Sequence, residues 1–172
     1  MVQLYLSLGS NLGDRWQHLQ RAVWGLRPFM AIAQISPVYE TIPWGPVQDQ
    51  PCFLNACLQA ETLLPPEILL PSIKQLEREL GRDQTERYGP HEIDIDLLFY
   101  GKLVTQVGQR TIPHRQIRQR PFVLIPLADI APDFIHPVHQ MSINQLLAEV
   151  NSTGIFQLPT ELVTAVPEPI TL

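Results

Sequence analysis

Cysteine is scarce in this sequence, since only Cys52 and Cys57 occur among its 172 residues. Two cysteines are too few for a disulfide framework, and their spacing does not match a metal-binding pair. We therefore predict free thiols in a reducing compartment. Hydrophobic residues make up 45% of the chain, which is enough to bury a substantial apolar core.

Long apolar runs are missing as well. No stretch approaches the roughly 18 apolar residues of a membrane-spanning helix, and the opening MVQLYLSLGSNLGD lacks both a basic segment and a small-residue cleavage site. We expect a first strand there, and a cytoplasmic protein with no membrane partner. The length fits one domain, predicted over residues 1–150. Residues 151–172 are predicted to form a loosely packed tail, because periodicity fades and prolines appear.

Positive charge is low overall but concentrated in one segment. The formal net charge is −5, yet nine of the 12 Lys and Arg residues lie between Lys74 and Arg120. That segment holds seven of the 17 acidic residues, so it is net positive while the remainder is net negative. This pattern indicates a local anion site. It argues against a nucleic-acid partner, because a nucleic-acid-binding surface usually makes the whole domain basic.

Apolar periodicity predicts a regular series of elements over the first hundred residues. The order is strand, helix, strand, strand, helix, strand, expected over residues 2–8, 15–26, 31–41, 53–61, 65–81 and 93–101. This βαββαβ order is typical of the ferredoxin-like core of α+β folds. Pro37 indicates an edge strand or a bulge, and Pro71 indicates a kinked or late-starting second helix. Shorter helices are predicted near residues 122–131 and 142–150.

The string GPHEIDIDLLFYG is the most informative part of the chain. Residues two apart on a strand face the same way, so Asp94 and Asp96 should project together. Two carboxylates at this spacing suit a pair of magnesium ions, which take few protein carboxylates and complete their shells with phosphates and waters. The alternative is an edge strand with a solvated acidic face. The apolar residues 97–99 indicate a buried strand instead, in which the carboxylates would need compensating charge.

Three further side chains are candidates for binding a ligand. Phe53 and Asn55 share the polar face of their strand, so the ring could stack on a flat heterocycle and the amide could read its edge. His114, in the string IPHR, could donate a hydrogen bond to a phosphate. Each has a purely structural alternative: core packing for Phe53, a solvated position for Asn55 and a structural histidine for His114.

Familiar phosphate-binding motifs are absent. GSNLGD is not a Walker A loop, and the protein-kinase motifs do not occur. Bound phosphates would therefore depend on metal ions and cationic side chains. Two other function classes stay open at this point: a binding module on a ferredoxin-like sheet, although no RNP-type aromatic string is present, and a metal-dependent phosphohydrolase.

Seven blocks of the sequence resemble one enzyme family. They are LSLGSNLGDR, SPVYETIPWGP, QPCFLNA, LERELGR, YGPHEIDIDLLFYG, IPH and RPFVLIPLADIAPD, in order from about residue 4 to residue 137. Together they are similar to the 6-hydroxymethyl-7,8-dihydropterin pyrophosphokinases of folate biosynthesis. The resemblance implies a monomer with a three-layer α/β/α fold and an antiparallel sheet. It also implies transfer of pyrophosphate from ATP to the pterin hydroxymethyl group, with release of AMP.

The resemblance also implies roles for individual residues. Asp94 and Asp96 would bind two Mg²⁺ ions, and Arg82 would be catalytic by stabilising charge on the transferred phosphates. The pterin side would comprise Phe53 and Phe122 as a stacking pair, with Asn55, Thr41, Pro43 and Trp44. The ATP side would comprise Lys74, Glu77, Arg82, Arg87, Tyr88, His91, His114, Arg115 and Arg120. Apart from the resemblance, the two long loops at residues 42–51 and 82–90 are candidate lids that could exclude water.

Three positions depart from the family pattern, and the mildest is Tyr88, where the family often has tryptophan. The family commonly has arginine at position 91, and histidine cannot offer the same bidentate fork. Either Arg87, Arg115 or Arg118 replaces that contact, or His91 binds phosphate in its charged form. Lys74 stands where a polar residue such as glutamine is frequent, and its ammonium group could touch a phosphate.

Overall fold

The computed structural model describes residues 1–82 and 88–166. Within these residues the strands are β1 Val2–Ser10, β2 Ala31–Ile35, β3 Tyr39–Thr41, β4 Phe53–Thr62, β5 Asp94–Tyr100, β6 Thr105–Val107, β7 Arg110–Ile112 and β8 Ile155–Gln157. The α-helices are α1 Arg15–Leu26, α2 Pro66–Glu79, α3 Pro121–Ile130 and α4 Ile143–Ala148. None of these helices combines the length and apolar character that crossing a bilayer requires.

The main sheet has six strands, and its pairings are antiparallel. The order across it is β5-β1-β4-β3-β8, and β2 also pairs with β4. When β2 and β3 are counted as one divided strand, the core order is fourth, first, third, second, which is that of a ferredoxin-like βαββαβ unit. The predicted α+β class is confirmed.

The strand alternation divides the molecule into three layers. Leu4, Leu6 and Leu8 of β1 belong to the apolar core formed with α1 and α2, whereas Tyr5 belongs to a second core formed with α3 and α4. On β4 the same division separates Leu58 from its neighbour Cys57, which is buried in the second core. Successive strand residues face opposite sides of the sheet, so each strand contributes to both cores. Helices α1 and α2 cover one face of the sheet, and α3 and α4 cover the other.

The segment predicted as one strand over residues 31–41 is two strands. Ser36, Pro37 and Val38 separate β2 from β3, and the pairing of β2 with β4 is irregular between Ile32 and Gln34. The Ser36 hydroxyl accepts a hydrogen bond from the Cys57 amide at 2.9 Å, which keeps the interruption attached to β4. Proline lacks the amide donor that a continuous ladder needs, and Pro37 lies in the break between the two strands, while the irregular pairing lies earlier, in β2.

Helix α2 begins at Pro66 and continues through Pro71, so its start is not delayed as one alternative predicted. A proline at the first helical position is favourable, but one in the interior removes a backbone hydrogen bond. The apolar face offsets this cost, since Leu69, Ile73 and Leu76 are buried against the sheet. Packing therefore outweighs local propensity in this helix.

Residues 155–165, within the segment predicted as a tail, contact the rest of the chain. Strand β8 pairs with β3, and Leu162 is buried in the first core. The Gln20 side chain is fully buried on α1 and makes two hydrogen bonds to the Val163 backbone, of 2.7 and 2.9 Å. Trp24 donates its indole N–H to the Ala165 carbonyl. Residues 167–172, the rest of the predicted tail, lie outside the described residues.

Gln20→Ala is expected to lower the free energy of unfolding by about 2 kcal/mol, because the amide and carbonyl of Val163 lose their hydrogen-bond partner. It should also release the Val163 amide, which would then exchange with deuterium much faster than in the wild type. Chemical denaturation and hydrogen exchange test both effects. Gln17→Ala on the exposed side of the same helix is the matched control. Unchanged protection of Val163 would contradict this account of the C-terminal segment.

A buried histidine organises the turn between α3 and α4. His136 is 3% exposed, and its Nδ1 accepts hydrogen bonds from the backbone amides of Val138 and His139 at 3.1 and 3.3 Å. Its ring meets Phe99 edge-on, with 5.2 Å between centroids. Burial and the neighbouring His139 lower the pKa of His136 from 6.5 to about 4. Nδ1 can accept these bonds only while it is unprotonated.

The fold should therefore lose stability in weak acid. The contribution of His136 is complete above about pH 6.5 and declines as the pH falls toward 4, because the unfolded chain takes up the proton first. The loss should reach about 2 kcal/mol between pH 6.5 and pH 5. His136→Asn keeps an acceptor near Nδ1 but does not titrate, so its unfolding free energy should fall less over that range. Equal losses in both proteins would assign the acid sensitivity to other groups.

Candidate active site

A cavity of about 530 Å³ opens on the second face of the sheet, next to the N-terminal end of α3. Of the predicted site residues that the structure describes, all but Pro43 and Glu77 line it: Thr41, Trp44, Phe53, Asn55, Lys74, Arg82, Tyr88, His91, Asp94, Asp96, His114, Arg115, Arg120 and Phe122. Arg87 lies outside the described residues. The fold thus collects side chains that are far apart in sequence around one space.

The floor of the cavity depends on a glycine that was not predicted from the sequence. Gly9 on β1 pairs with Asn55 on one side and with Asp94 on the other. A Cβ atom at Gly9 would lie 2.9 Å from Oδ1 of Asn55, so only glycine leaves room for this amide. Asn55 donates through Nδ2 to the Thr41 hydroxyl at 2.7 Å, which orients Oδ1 as an acceptor. The predicted strand ended at residue 8, whereas β1 continues through Gly9 to Ser10, so the sequence pattern did not single out this glycine.

The two aspartates lie on the same face of β5, as the two-residue spacing predicts. β5 is an edge strand of the main sheet, as the solvated alternative required. The side chains are nevertheless only 29% and 15% exposed, for Asp94 and Asp96 respectively. They are therefore partly desolvated, and each lies beside cationic groups.

Each aspartate has its own set of partners. Asp94 forms a close ion pair with Arg82 and lies 3.8 Å from the Lys74 ammonium group. Asp96 accepts a hydrogen bond from Arg120 at 3.2 Å, and Nε2 of His114 lies 3.7 Å from the same oxygen. The two carboxylates thus have separate cationic partners.

Glu77 is a buried carboxylate that binds Lys74 and Arg82, the two cations next to Asp94. Its carboxylate is 2% exposed and accepts from Lys74 at 2.5 Å, from Arg82 at 2.9 Å and from the Ile95 amide at 2.6 Å. The resemblance placed Glu77 among the ATP-side residues, but its described contacts are with the protein. Glu77 holds Lys74 and Arg82 against the strand that carries Asp94.

The local charges shift several pKa values. Burial alone would raise the pKa of Asp94, but Lys74, Arg82 and His91 outweigh it and hold that pKa well below its usual range. Burial raises the pKa of Glu77, against the opposing pull of Lys74 and Arg82. Burial also lowers the pKa of His114, although Asp96 opposes the shift. The ionised form of Asp94 is the form that binds a cation.

The tautomer of neutral His114 follows from its hydrogen bonds. Its Nδ1 accepts from the Gln116 amide at 3.2 Å, so the ring hydrogen is on Nε2, the atom nearest to Asp96. His114 is itself held by its own amide, which donates to the Leu98 carbonyl of β5 at 3.0 Å. A hydrogen-bond donor therefore faces the cavity beside Asp96.

Aromatic rings line the other part of the cavity in two groups. Trp44 lies 6.0 Å from Phe122 and 6.5 Å from Tyr88 between ring centroids, and the Arg120 guanidinium lies over Trp44 at 5.4 Å. Separately, Phe53 packs against His91 at 5.2 Å. Flat surfaces on the same cavity suit a planar heterocycle.

Asn11 connects the two predicted lid loops and was also not predicted. Its side chain donates to Gln50 and to the Pro51 carbonyl, both at 3.0 Å, and accepts from the His91 amide at 2.9 Å. Gln50 donates in turn to the Tyr88 carbonyl at 2.9 Å. Since Asn11 is 2% exposed, these bonds join the loops at their base. Only the folded chain brings these three segments together.

Asp94 and Asp96 suit a magnesium ion that takes its remaining ligands from a bound phosphate and from water. Within residues 1–82 and 88–166, no group of three or more His, Cys, Asp or Glu side chains could hold a metal by itself. Two neighbouring carboxylates are hard oxygen donors, and magnesium commonly combines one or two of them with phosphate oxygens and waters.

Comparison with known proteins agrees with this chemistry. The model of the 7,8-dihydro-6-hydroxymethylpterin-pyrophosphokinase (HPPK) family matches residues 5–132. The chain belongs to this family. It is accordingly an ATP-dependent enzyme of folate synthesis that transfers pyrophosphate from ATP to 6-hydroxymethyl-7,8-dihydropterin.

Relatives from two bacteria are similar over nearly their whole length. The pyrophosphokinase of Aquifex aeolicus is 40% identical over 149 residues, which cover 87% of this chain and 92% of the relative. That of Methylorubrum extorquens is 40% identical over 157 residues, covering 90% and 98%. Both carry the name 2-amino-4-hydroxy-6-hydroxymethyldihydropteridine pyrophosphokinase.

A solved structure supports the fold. The HPPK-DHPS protein of Plasmodium falciparum, crystallised as a triple mutant with pteroate, superposes with a TM-score of 0.69 at 17% identity. The match covers 86% of this chain and 43% of the malarial chain. The HPPK chain therefore shares its architecture with part of a larger protein.

Glu77→Gln should destabilise the HPPK fold by about 2 kcal/mol at neutral pH, because Lys74 and Arg82 lose a buried counter-charge while the amide oxygen can still accept from Ile95. Urea denaturation measures the effect. Glu79→Gln, on the exposed face of the same helix, should change stability by less than about 0.5 kcal/mol. Equal effects of the two substitutions would mean that the buried ion pairs add nothing to stability.

Proposed function

We propose that pyrophosphoryl transfer by this HPPK takes place in the 530 Å³ cavity, with two Mg²⁺ ions on Asp94 and Asp96. The observation that carries the proposal is the arrangement of its walls. Two partly desolvated carboxylates with their cations line the cavity together with two groups of aromatic rings, and Arg120 contacts both Asp96 and Trp44. A charged polyphosphate and a planar ring each have a matching surface within one space.

The charges around the carboxylates are balanced before a nucleotide binds. Asp94, Asp96 and Glu77 carry negative charge, and Lys74, Arg82 and Arg120 surround them as cations. A fully ionised triphosphate together with two divalent cations adds almost no net charge. Magnesium bound to the aspartates would free Arg82 and Arg120 to bind phosphate oxygens, for which guanidinium groups are well suited.

The pterin is positioned by the aromatic part of the cavity. Phe53 and Phe122 would enclose its flat ring, while Oδ1 of Asn55 accepts a hydrogen bond from a ring N–H. Thr41 supports this role because its hydroxyl already binds Nδ2 of Asn55 and so fixes the amide orientation. Trp44 covers the ring from the loop of residues 42–51, and Pro43 belongs to the same loop.

Catalysis consists mainly of positioning and neutralising charge, as in other phosphoryl transfers. Magnesium, when bound, would neutralise the attacking and leaving oxygens of an in-line displacement. Arg82, paired with Asp94, and Arg120, paired with Asp96, stabilise charge on the transferred group. His114 supplies a neutral N–H donor at Nε2, and Lys74 adds a third cation. Tyr88, Arg115 and Arg87 complete the proposed ATP side.

We also propose that the enzyme acts as a cytoplasmic monomer without nucleic-acid or membrane partners. One copy of the chain supplies both the carboxylates and the aromatic walls of the cavity. No second copy is needed to complete the described part of the site.

Asp94→Ala and Asp96→Ala should each abolish turnover while leaving the protein folded, because the carboxylates hold magnesium and make few contacts with the core. The assay combines MgATP with the dihydropterin alcohol and measures AMP and the pterin diphosphate. Circular dichroism checks the fold.

Glu149→Ala is the matched control, since Glu149 pairs with Arg118 at 2.9 Å outside the cavity. It should keep the wild-type rate. Wild-type AMP formation by either aspartate variant would refute the proposed metal site. Release of inorganic phosphate without a pterin product would instead identify a phosphohydrolase.

A further inference from the structure

His91 lies on the aromatic side of the cavity. Its ring packs at a tilt against Phe53, with 5.2 Å between centroids and 51° between ring planes. This separation falls within the range of favourable aromatic pairs. Both residues line the cavity, so the two rings form one continuous part of its wall.

The position of His91 is fixed through its backbone. Its amide donates to the Asn11 side chain at 2.9 Å, and its carbonyl accepts from the Asn11 amide at 3.1 Å. The ring is held separately, because Nδ1 lies 3.0 Å from the Gly89 carbonyl. A carbonyl can only accept, so Nδ1 carries a hydrogen. The imidazole is therefore held in place before any ligand binds.

The cationic positions near the aspartates are filled by other residues. In the described part of the chain, the ion pairs of Asp94 and Asp96 are with Lys74, Arg82, Arg120 and His114, and none is with His91. His91 contributes to the field at Asp94 only over a longer distance. Its direct contacts are with Phe53, Asn11 and Gly89.

We propose that His91 belongs to the pterin-binding wall and not to the phosphate-binding side. Its ring holds the tilt of Phe53 and adds a second aromatic surface, inclined to the first, that borders a fused heteroaromatic ligand. This inference rests on the proposed function, because it assumes that Phe53 stacks on the pterin. It makes His91 a determinant of affinity for the ring and not for the nucleotide.

The test compares His91→Ala with His91→Phe. Binding of the fluorescent 6-hydroxymethylpterin is measured in the presence of magnesium and α,β-methylene-ATP, an analogue that cannot be cleaved between the α and β phosphates. Binding of the analogue alone is measured separately by calorimetry. Steady-state kinetics with MgATP then separate the KM for the dihydropterin from kcat.

Removing the ring in His91→Ala should weaken pterin binding about three- to tenfold and raise the KM for the dihydropterin. Affinity for the nucleotide analogue should not change. His91→Phe keeps the ring and should bind the pterin within about twofold of the wild type. Melting temperatures of both variants establish that they are folded.

Weaker binding of the analogue by both variants, with unchanged pterin affinity, would overturn the inference and assign His91 to the phosphates. Pterin affinity unchanged in His91→Ala would overturn it as well. If the wild type itself failed to bind pterin, both the proposed function and this inference would be refuted. Wild-type binding with an unaffected His91→Ala variant would leave the proposed function standing and reject the role of His91 alone.

Discussion

The neutralisation of two carboxylates on one strand is the interaction on which the site depends. Burial alone would raise the pKa of Asp94, and the neighbouring Asp96 is also only partly exposed. Cations from α2, from the following segment and from the start of α3 prevent this. Elements that pack on opposite faces of the sheet thus meet at one pair of side chains.

This arrangement places an energetic requirement on helix α2. Lys74 and Arg82 reach Asp94 only because Glu77, buried between the helix and β5, binds both and also accepts from the Ile95 amide. A buried ion pair is costly to assemble and damaging to break, so its main value here is to hold cations at defined positions. In the proposed function, magnesium on the aspartates would make those positions available to phosphate oxygens.

The ring-binding part of the cavity has a different physical basis. It requires space and flat apolar surface, and the space is created by the missing side chain at Gly9. Asn11 then connects the segment before β4 to the segment before β5, with Gln50 as a second link. The proposed ring and phosphate sites are therefore neighbours on a shared framework, which would bring the two substrates of HPPK together.

Local patterns in the sequence determined much of this protein. Alternation on β1, β4 and β5 predicted which residues share a face, helical spacing predicted α1, and the aspartate pair predicted a cation site, because these features depend only on neighbours in the chain. Tertiary structure alone decided the rest. Glu77 and Asn11 act through partners that are distant in sequence, α2 passes through Pro71 because its apolar face is buried, and residues 155–165 are held by β3 and Gln20. Such contacts leave no periodic signal, since their free energy arises only when separate segments pack together.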